Sequence, residues 1–359
     1  TAKGTMNIAG KAIVAKTLTN NGAIVLTDVA ATLTSSECGN VTTNVADHKV
    51  AYADGAYKVV AKNYVASIEE DKFESLAEAL AAAQAGDEIT LVCDVAEDVT
   101  VSKAVTIDGA GKTYTGTITV NGSKRSTGAE TLTIKNFNFV LNGQWQSSIL
   151  ASKNTYVHNL TIDGCEMNGI KALRECRDIT IEGGTGNSTE FGWMCDGLRV
   201  KDFTLTSEYP FLHTSNAEFD SFRLKGKYSF QYVKNVTFRN CVLDTKDAFW
   251  HAKNVTVYDS VVKGEYLAWY SEGLTLINCK IIGTQPLCYC KNLVLENCTT
   301  EGCDLSFENS QVQATIRGAV DSVKNPAGGS ITADAIGEVI LESCQWNPGA
   351  TEIRVSSPV

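Results

Sequence analysis

Eight consecutive segments of nineteen residues, with neither insertion nor deletion, begin at positions 159, 178, 197, 216, 235, 254, 273 and 292. They open NLTIDGCEMNG, DITIEGGTGNS, GLRVKDFTLTS, NAEFDSFRLKG, NVTFRNCVLDT, NVTVYDSVVKG, GLTLINCKIIG and NLVLENCTTEG. A fixed period of this length is the mark of a solenoid, in which each unit packs against its neighbours alone. The columns carry the physics. Column one holds Asn159, Asp178, Gly197, Asn216, Asn235, Asn254, Gly273 and Asn292, residue types that tolerate positive φ and therefore a turn. Column six (Gly164, Gly183, Asp202, Ser221, Asn240, Asp259, Asn278, Asn297) reads as a second turn. Column eleven (Gly169, Ser188, Ser207, Gly226, Thr245, Gly264, Gly283, Gly302) reads as a third. Three turns per period describe a three-sided coil.

Between the turns the alternation is that of strands. Columns two and four are almost wholly apolar, as in Leu160 and Ile162, Val236 and Phe238, Val255 and Val257, while column three is mostly Thr. Period-two alternation of β-branched residues is the signature of a half-buried strand. A leucine-rich repeat fails on its Leu spacing, and a left-handed hexapeptide helix needs a period of six that is absent. The expected fold is all-β, a right-handed parallel β-helix of nineteen-residue coils stacked about 4.8 Å apart.

The flanks are read around this body. Thr131–Asn136 looks like an earlier coil, and 99–120 offers further short strands. Ser75 to Ala85 reads as an amphipathic helix capped by Ser75 and stopped at Gly86, placed to cover the open N-terminal end of the solenoid. His48–Tyr52 and Tyr57–Val60 flank Asp54-Gly55 as a hairpin would. The expected divisions are 1–63, a β-rich leading segment that ends a preceding module, 64–310, the β-helix with its capping helix, and 311–359, C-terminal coils and closure. The chain opens on Thr1 with no Met and no signal peptide, which reads as a processed product or an excised fragment.

Composition removes several classes. Net charge is −10, from 31 basic and 41 acidic residues, with no basic cluster, which argues against nucleic acid and anionic lipid. No run approaches the roughly 20 apolar residues of a membrane-spanning helix, so membrane insertion is not expected. Of the twelve Cys, Cys165, Cys241, Cys279 and Cys298 share column seven, and Cys176, Cys195 and Cys290 share column eighteen. Regular occupancy of repeat columns is the behaviour of small buried hydrophobes. Unbridged thiols are expected, with no metal site and no cofactor. Sequons such as Asn235-Val-Thr237 and Asn254-Val-Thr256 follow from the repeat, which places Asn in a turn and Thr in the next strand.

From about 150 to 342 the chain resembles an uncharacterised bacterial family with a pectin-lyase-like β-helix. The strings that carry the resemblance are Lys246-Asp-Ala-Phe-Trp250, Asn254-Val-Thr-Val-Tyr-Asp-Ser260, Gly264-Glu-Tyr-Leu267, Asp321-Ser-Val-Lys-Asn-Pro326 and Ala333-Asp-Ala-Ile-Gly-Glu338. It implies the fold and assigns no activity and no catalytic residue. Residues 64–140 resemble repeat-rich surface proteins of gut bacteria through Phe73-Glu-Ser-Leu-Ala-Glu-Ala-Leu80 and Gly86-Asp-Glu-Ile-Thr-Leu91. That resemblance implies an extracellular or cell-surface location.

The third side of the coil carries the candidate site. Column thirteen holds Tyr209, Tyr228, Asp247 and Tyr266 in successive coils, and column fifteen holds Phe211, Phe230 and Phe249. Column sixteen includes Trp193, Trp250 and Trp269, and column seventeen holds His213, Tyr232, His251, Tyr270 and Tyr289. A strand buries one face, so either the Tyr/His set or the Trp set is expected to point outward, and periodicity leaves the choice open. The expected ligand-binding residues are Tyr209, Tyr228, Tyr232, Trp250, His251, Tyr266, Trp269, Tyr270 and Tyr289, on an aromatic ladder that binds a polysaccharide or a surface protein. Simple packing is the competing account of each ring. Two other functions stay open. One is a lyase or glycoside hydrolase, with Asp244, Asp247, Glu265 and His251 as the nearest approach to a cluster. The other is a purely structural stalk, which requires the aromatic side to be covered by other segments where a binder needs it bare. The Thr column is interrupted by Arg199 and Glu218, so an ice-binding ladder is not expected.

Overall fold

The computed structural model describes residues 4–14, 18–121, 131–141, 143, 146–151, 160–342 and 350–356. Two compact units are present, Thr1–Tyr64 and Val65–Val359. In the first, Thr5–Ile8, Ala23–Leu26 and Val41–Thr43 form one parallel sheet. Lys11–Ile13 runs parallel to Thr32–Thr34, which is joined antiparallel to Ala56–Ala61. Asp54 and Gly55, both at positive φ, turn the chain from His48–Ala53 into Ala56–Ala61. Ile24, Leu26, Leu33 and Tyr57 fill a core of this unit's own.

The second unit is the solenoid. Leu160 lies opposite Ile179, Ile179 opposite Leu198, Val236 opposite Val255, Val255 opposite Leu274 and Leu295 opposite Ala314, each pair nineteen residues apart and parallel. The first coils keep the same period, as in Val99 opposite Ile118, and the sequence spacing widens only in the coils that follow, where Ile118 pairs with Ile149 and Leu132 with Leu160. Beyond Leu295 the register shifts, and Gln311 pairs with Gly328. Columns two and four point inward along the stack and make one continuous core.

Columns one and six are left-handed turns throughout the described coils, from Asp178 (φ 50°) to Asn292 (φ 52°) and from Gly164 (φ 57°) to Asn297 (φ 55°). Asn159 lies outside the described residues. The turn asparagines bond one another along the axis. The Asn235 amide donates to Asn216 Oδ1 at 2.9 Å, Asn254 to Asn235 at 3.2 Å, and Asn297 to Asn278 at 2.7 Å. Such files of identical amides reinforce stacked parallel strands, and they occupy the side-chain nitrogens of the sequon residues Asn235, Asn254 and Asn297. Column eleven behaves differently. Gly264 (φ 148°) passes so close to the coil before it that a Cβ there would lie 2.2 Å from the Thr245 carbonyl oxygen.

The capping helix spans Leu76–Ala82, three residues shorter at its C-terminal end than the sequence suggests. Ser75 Oγ accepts from Glu78 N at 3.0 Å. Two side chains from the adjoining coil complete the ends. Glu97 accepts from the backbone N–H groups of Leu76 and Ala77 at 3.0 and 3.1 Å. Lys103 Nζ donates to the carbonyls of Leu80, Ala81 and Ala83 at 2.9, 3.0 and 2.6 Å. Those carbonyls would otherwise lack partners at the negative end of the helix dipole. Leu76, Ala79 and Leu80 are buried in the solenoid core. The hairpin Ala66–Ile68/Asp71–Phe73 pairs antiparallel with Glu88–Leu91, so the first coil does not end in a bare edge there. Lys103→Met is expected to lower stability by about 1–2 kcal/mol. Denaturant unfolding read together with helix loss would check it, and an unchanged midpoint would show that the helix end needs no cation.

The eleven described cysteines are unbridged, and nine of them are buried. Column-seven thiols donate back to carbonyls of the preceding coil, Cys279 to Val257 at 3.3 Å and Cys298 to Leu276 at 3.4 Å. Burial pushes the Cys290 thiol up to about 11 and Cys288 up to about 12. Thiolate is the reactive form. With a thiol-specific reagent at neutral pH, exposed Cys93 is expected to be modified in the native protein, whereas Cys288 and Cys290 are modified after unfolding. Rapid native labelling of Cys290, read by mass spectrometry of peptides, would contradict the burial.

Candidate aromatic binding face

The third side is a strand in its first coils, where Glu166–Arg174 and Thr185–Phe191 run through it, and then ceases to be one. From Tyr228 onward, columns thirteen, fifteen and seventeen adopt positive φ in succession: Tyr228 49°, Phe230 57° and Tyr232 57°, then Asp247 55°, Phe249 60° and His251 54°, then Tyr266 57°, Ala268 62° and Tyr270 61°. These N–H groups alternate in direction along the axis. Tyr228 N donates forward to Lys246 O, Phe230 N back to Pro210 O, and Tyr232 N forward to Trp250 O. The coils thus remain hydrogen-bonded to both neighbours through a run of turns. This corrects the expectation of a flat third strand that buries a single face. Bulky residues rarely enter the left-handed region, so nothing in their identity signals this backbone.

The consequence is a three-way sorting of side chains. The phenylalanines of column fifteen are fully buried. Neither of the other aromatic sets is. Tyr232 and Tyr270 are each 47% exposed, and the tryptophans of column sixteen lie half-buried between core and surface. The indole N–H of Trp250 donates to the Tyr266 carbonyl at 2.8 Å, that of Trp269 to Gln285 at 2.9 Å, and that of Trp193 to Tyr209. Each indole is therefore pinned to the next coil. Trp250 and Trp269 lie parallel, 4° apart in plane and 5.6 Å between centroids.

Column seventeen forms an unbroken file of five rings. His213 stacks on Tyr232 at 4.9 Å, Tyr232 on His251 at 4.9 Å, His251 on Tyr270 at 5.1 Å, and Tyr270 on Tyr289 at 4.8 Å. Near-parallel planes at these separations, with carbon contacts of about 3.5–4.0 Å, must be offset. The rings overlap as roof tiles do, showing part of a face and one polar edge each. Trp269 ties this file to column thirteen, edge-on to Tyr266 at 5.4 Å and to Tyr289 at 5.5 Å. Tyr209 and Tyr228 stack at 5.1 Å on the same side of the solenoid. All nine residues singled out in the sequence therefore belong to the third side. His213, which stands in the same column but outside that set, supplies the fifth ring of the file, and its column was the signal that identifies it.

The polar members of the side are distributed unevenly. At its N-terminal end Lys171 is nearly buried and pairs with Glu190 at 2.8 Å, and Arg174 lies over the Trp193 ring. Farther along, Asp244 pairs with Lys263 at 3.2 Å and Glu265 with Lys246 at 3.0 Å. Asp247 is buried, and desolvation raises its carboxyl pKa above the usual range. Among the described residues no group of three or more His, Cys, Asp or Glu is arranged to hold a metal ion.

Stacked parallel coils, a helix-capped N-terminal end and a turn-built third side define a right-handed parallel β-helix. Within that class, the chain belongs to the family described as Protein of unknown function (DUF3737), whose model matches residues 133–354. None of the curated proteins matches it in sequence. Among solved structures it is similar to the catalytic domain of a GH87 alpha-1,3-glucanase in complex with tetrasaccharides, at 10% identity and TM-score 0.44, over 84% of this chain and 72% of that one. It is also similar to Bacteriophage CBA120 tailspike protein 3, at 10% identity and TM-score 0.35, over 75% of this chain and 56% of that one. These likenesses concern the solenoid and carry nothing about activity.

Proposed function

We propose that this β-helix is a non-enzymatic module that binds a glycan along its third side, in an extracellular or cell-surface setting. The observation that carries the reading is the bare five-ring file from His213 to Tyr289 beside the pinned pair Trp250 and Trp269. A stalk would bury such a side under other segments, whereas Tyr232 and Tyr270 stand half open. Among the described residues, none hydrogen-bonds the hydroxyls of Tyr232 or Tyr270 or the ring nitrogens of His213 or His251. An exposed apolar strip edged with unused donors and acceptors matches a sugar polymer, which offers C–H faces and hydroxyls at regular intervals. The strip repeats at the rise of one coil, close to the length of one pyranose residue in an extended chain. No described helix is long and apolar enough to cross a membrane.

The test is retention of the chain in affinity gels containing soluble polysaccharides, with a glycan array to widen the panel. Retardation by at least one polysaccharide is the expected result. Mobility unchanged across the panel, together with a blank array, would remove the reading. Release of unsaturated or new reducing ends would instead establish a lyase or hydrolase.

A further inference from the structure

The tyrosine file of column thirteen is broken at one coil. Tyr209 and Tyr228 stack, Asp247 takes the next place, and Tyr266 follows. Asp247 shares the left-handed backbone of its neighbours, with φ 55° against 49° and 57°. Its side chain therefore leaves the coil in the direction of the two rings and stops where a ring would begin. Tyr228 and Tyr266 are two coils apart, about 9.6 Å at the usual spacing. Two carbon contacts of about 3.5–4.0 Å each fill most of that width, and the remainder accommodates the pucker of a saturated six-membered ring. At the bottom of the break, Asp247 keeps 5% of its surface open. None of the described residues hydrogen-bonds its carboxylate. A carboxylate with so little open surface is poorly hydrated, and a ligand hydroxyl that donates to it supplies the hydrogen bonds that water gives only in part.

We propose that this break is a subsite seating one uncharged pyranose ring between Tyr228 and Tyr266, with ring hydroxyls donating to Asp247. The inference rests on the glycan reading of the third side. The charges nearest the break offset one another, since Lys246 pairs with Glu265, which favours an uncharged sugar over an ionic one. Lys246 borders the break, its ammonium 5.0 Å from the Tyr266 ring centre and 3.0 Å from Glu265. Its side chain is 43% exposed, so it can swing outward toward solvent and free the ring.

The experiment compares the unchanged chain with Asp247→Asn and Asp247→Tyr in affinity gels of soluble neutral glucan, mannan and xylan. Asp247→Asn keeps the shape and loses the charge-assisted hydrogen bonds, so the dissociation constant for the retained polysaccharide should rise at least tenfold. Asp247→Tyr restores a continuous tyrosine file. It should abolish retention at this subsite without lowering the unfolding temperature, which separates loss of binding from loss of fold. Retention of the unchanged chain together with equal retention of Asp247→Asn would overturn the subsite and leave the aromatic-face reading intact. If the unchanged chain binds no polysaccharide, both fall together.

Discussion

Phe230→Ala is expected to lower stability by about 3–5 kcal/mol, the largest single-residue effect in the solenoid. The ring is fully buried, stacked on Phe211 at 5.1 Å and on Phe249 at 5.4 Å. It is also edge-on to Phe219 at 5.3 Å and to Phe238 at 4.9 Å. Truncation removes these contacts and leaves a cavity among five rings, Phe222 at 6.5 Å being the fifth. The walls cannot close on it, because hydrogen bonds from Phe230 N to Pro210 O and from Phe249 N to Ser229 O hold the coils at fixed spacing. That rigidity places the cost in the upper part of the range seen for such truncations. Since each coil touches its neighbours alone, the damage should appear as early unfolding of the coils around Phe230, ahead of the rest. Hydrogen exchange and a denaturant titration would report it. A loss below about 1 kcal/mol would mean that the phenylalanine file is not packed as described.

Joint replacement of Tyr232, Trp250 and Tyr270 by alanine is expected to weaken glycan binding by about a hundredfold or more. Each ring supplies on the order of 1 kcal/mol of aromatic contact, and roughly 3 kcal/mol in sum is about two decades in Kd. Stability should move far less with the two tyrosines than with the tryptophan. Tyr232 and Tyr270 are each 47% exposed, whereas Trp250 uses its indole N–H on the Tyr266 carbonyl. The double tyrosine variant is therefore the cleaner probe, and it should keep the unfolding midpoint while losing at least tenfold in affinity. Unaltered polysaccharide retention by the folded triple variant would refute the face as the contact surface.

The stacking of coils was open to reading because each inward position repeats the same chemistry. Val236, Val255 and Leu274 stand in one column of the sequence and in one file of the structure. Asparagine and glycine marked columns one and six because those residues enter the left-handed region at little cost. The third side hid its shape for the same reason in reverse. Tyr228, Phe230 and Tyr232 are poor candidates for left-handed backbone, and their conformation is imposed by hydrogen bonds to the coils on either side. Sequence periodicity brought the aromatic residues together, but it treated the side as a strand and so forced a choice between two outward sets. The turn-built backbone exposes parts of both. The overlap of the rings, the pinning of the indoles and the burial of Asp247 depend on neighbours nineteen residues away, and no local pattern encodes them.

A circumference held at nineteen residues turns the coil into a unit of length. Whatever lies along the third side is measured in these units, and the file from His213 to Tyr289 marks off about 20 Å. A longer or shorter footprint would require gaining or losing a whole turn of the chain. A different taste in ligands requires a single outward substitution, as Asp247 among the tyrosines already illustrates. Reach and selectivity are thus free to drift separately among descendants of such a scaffold.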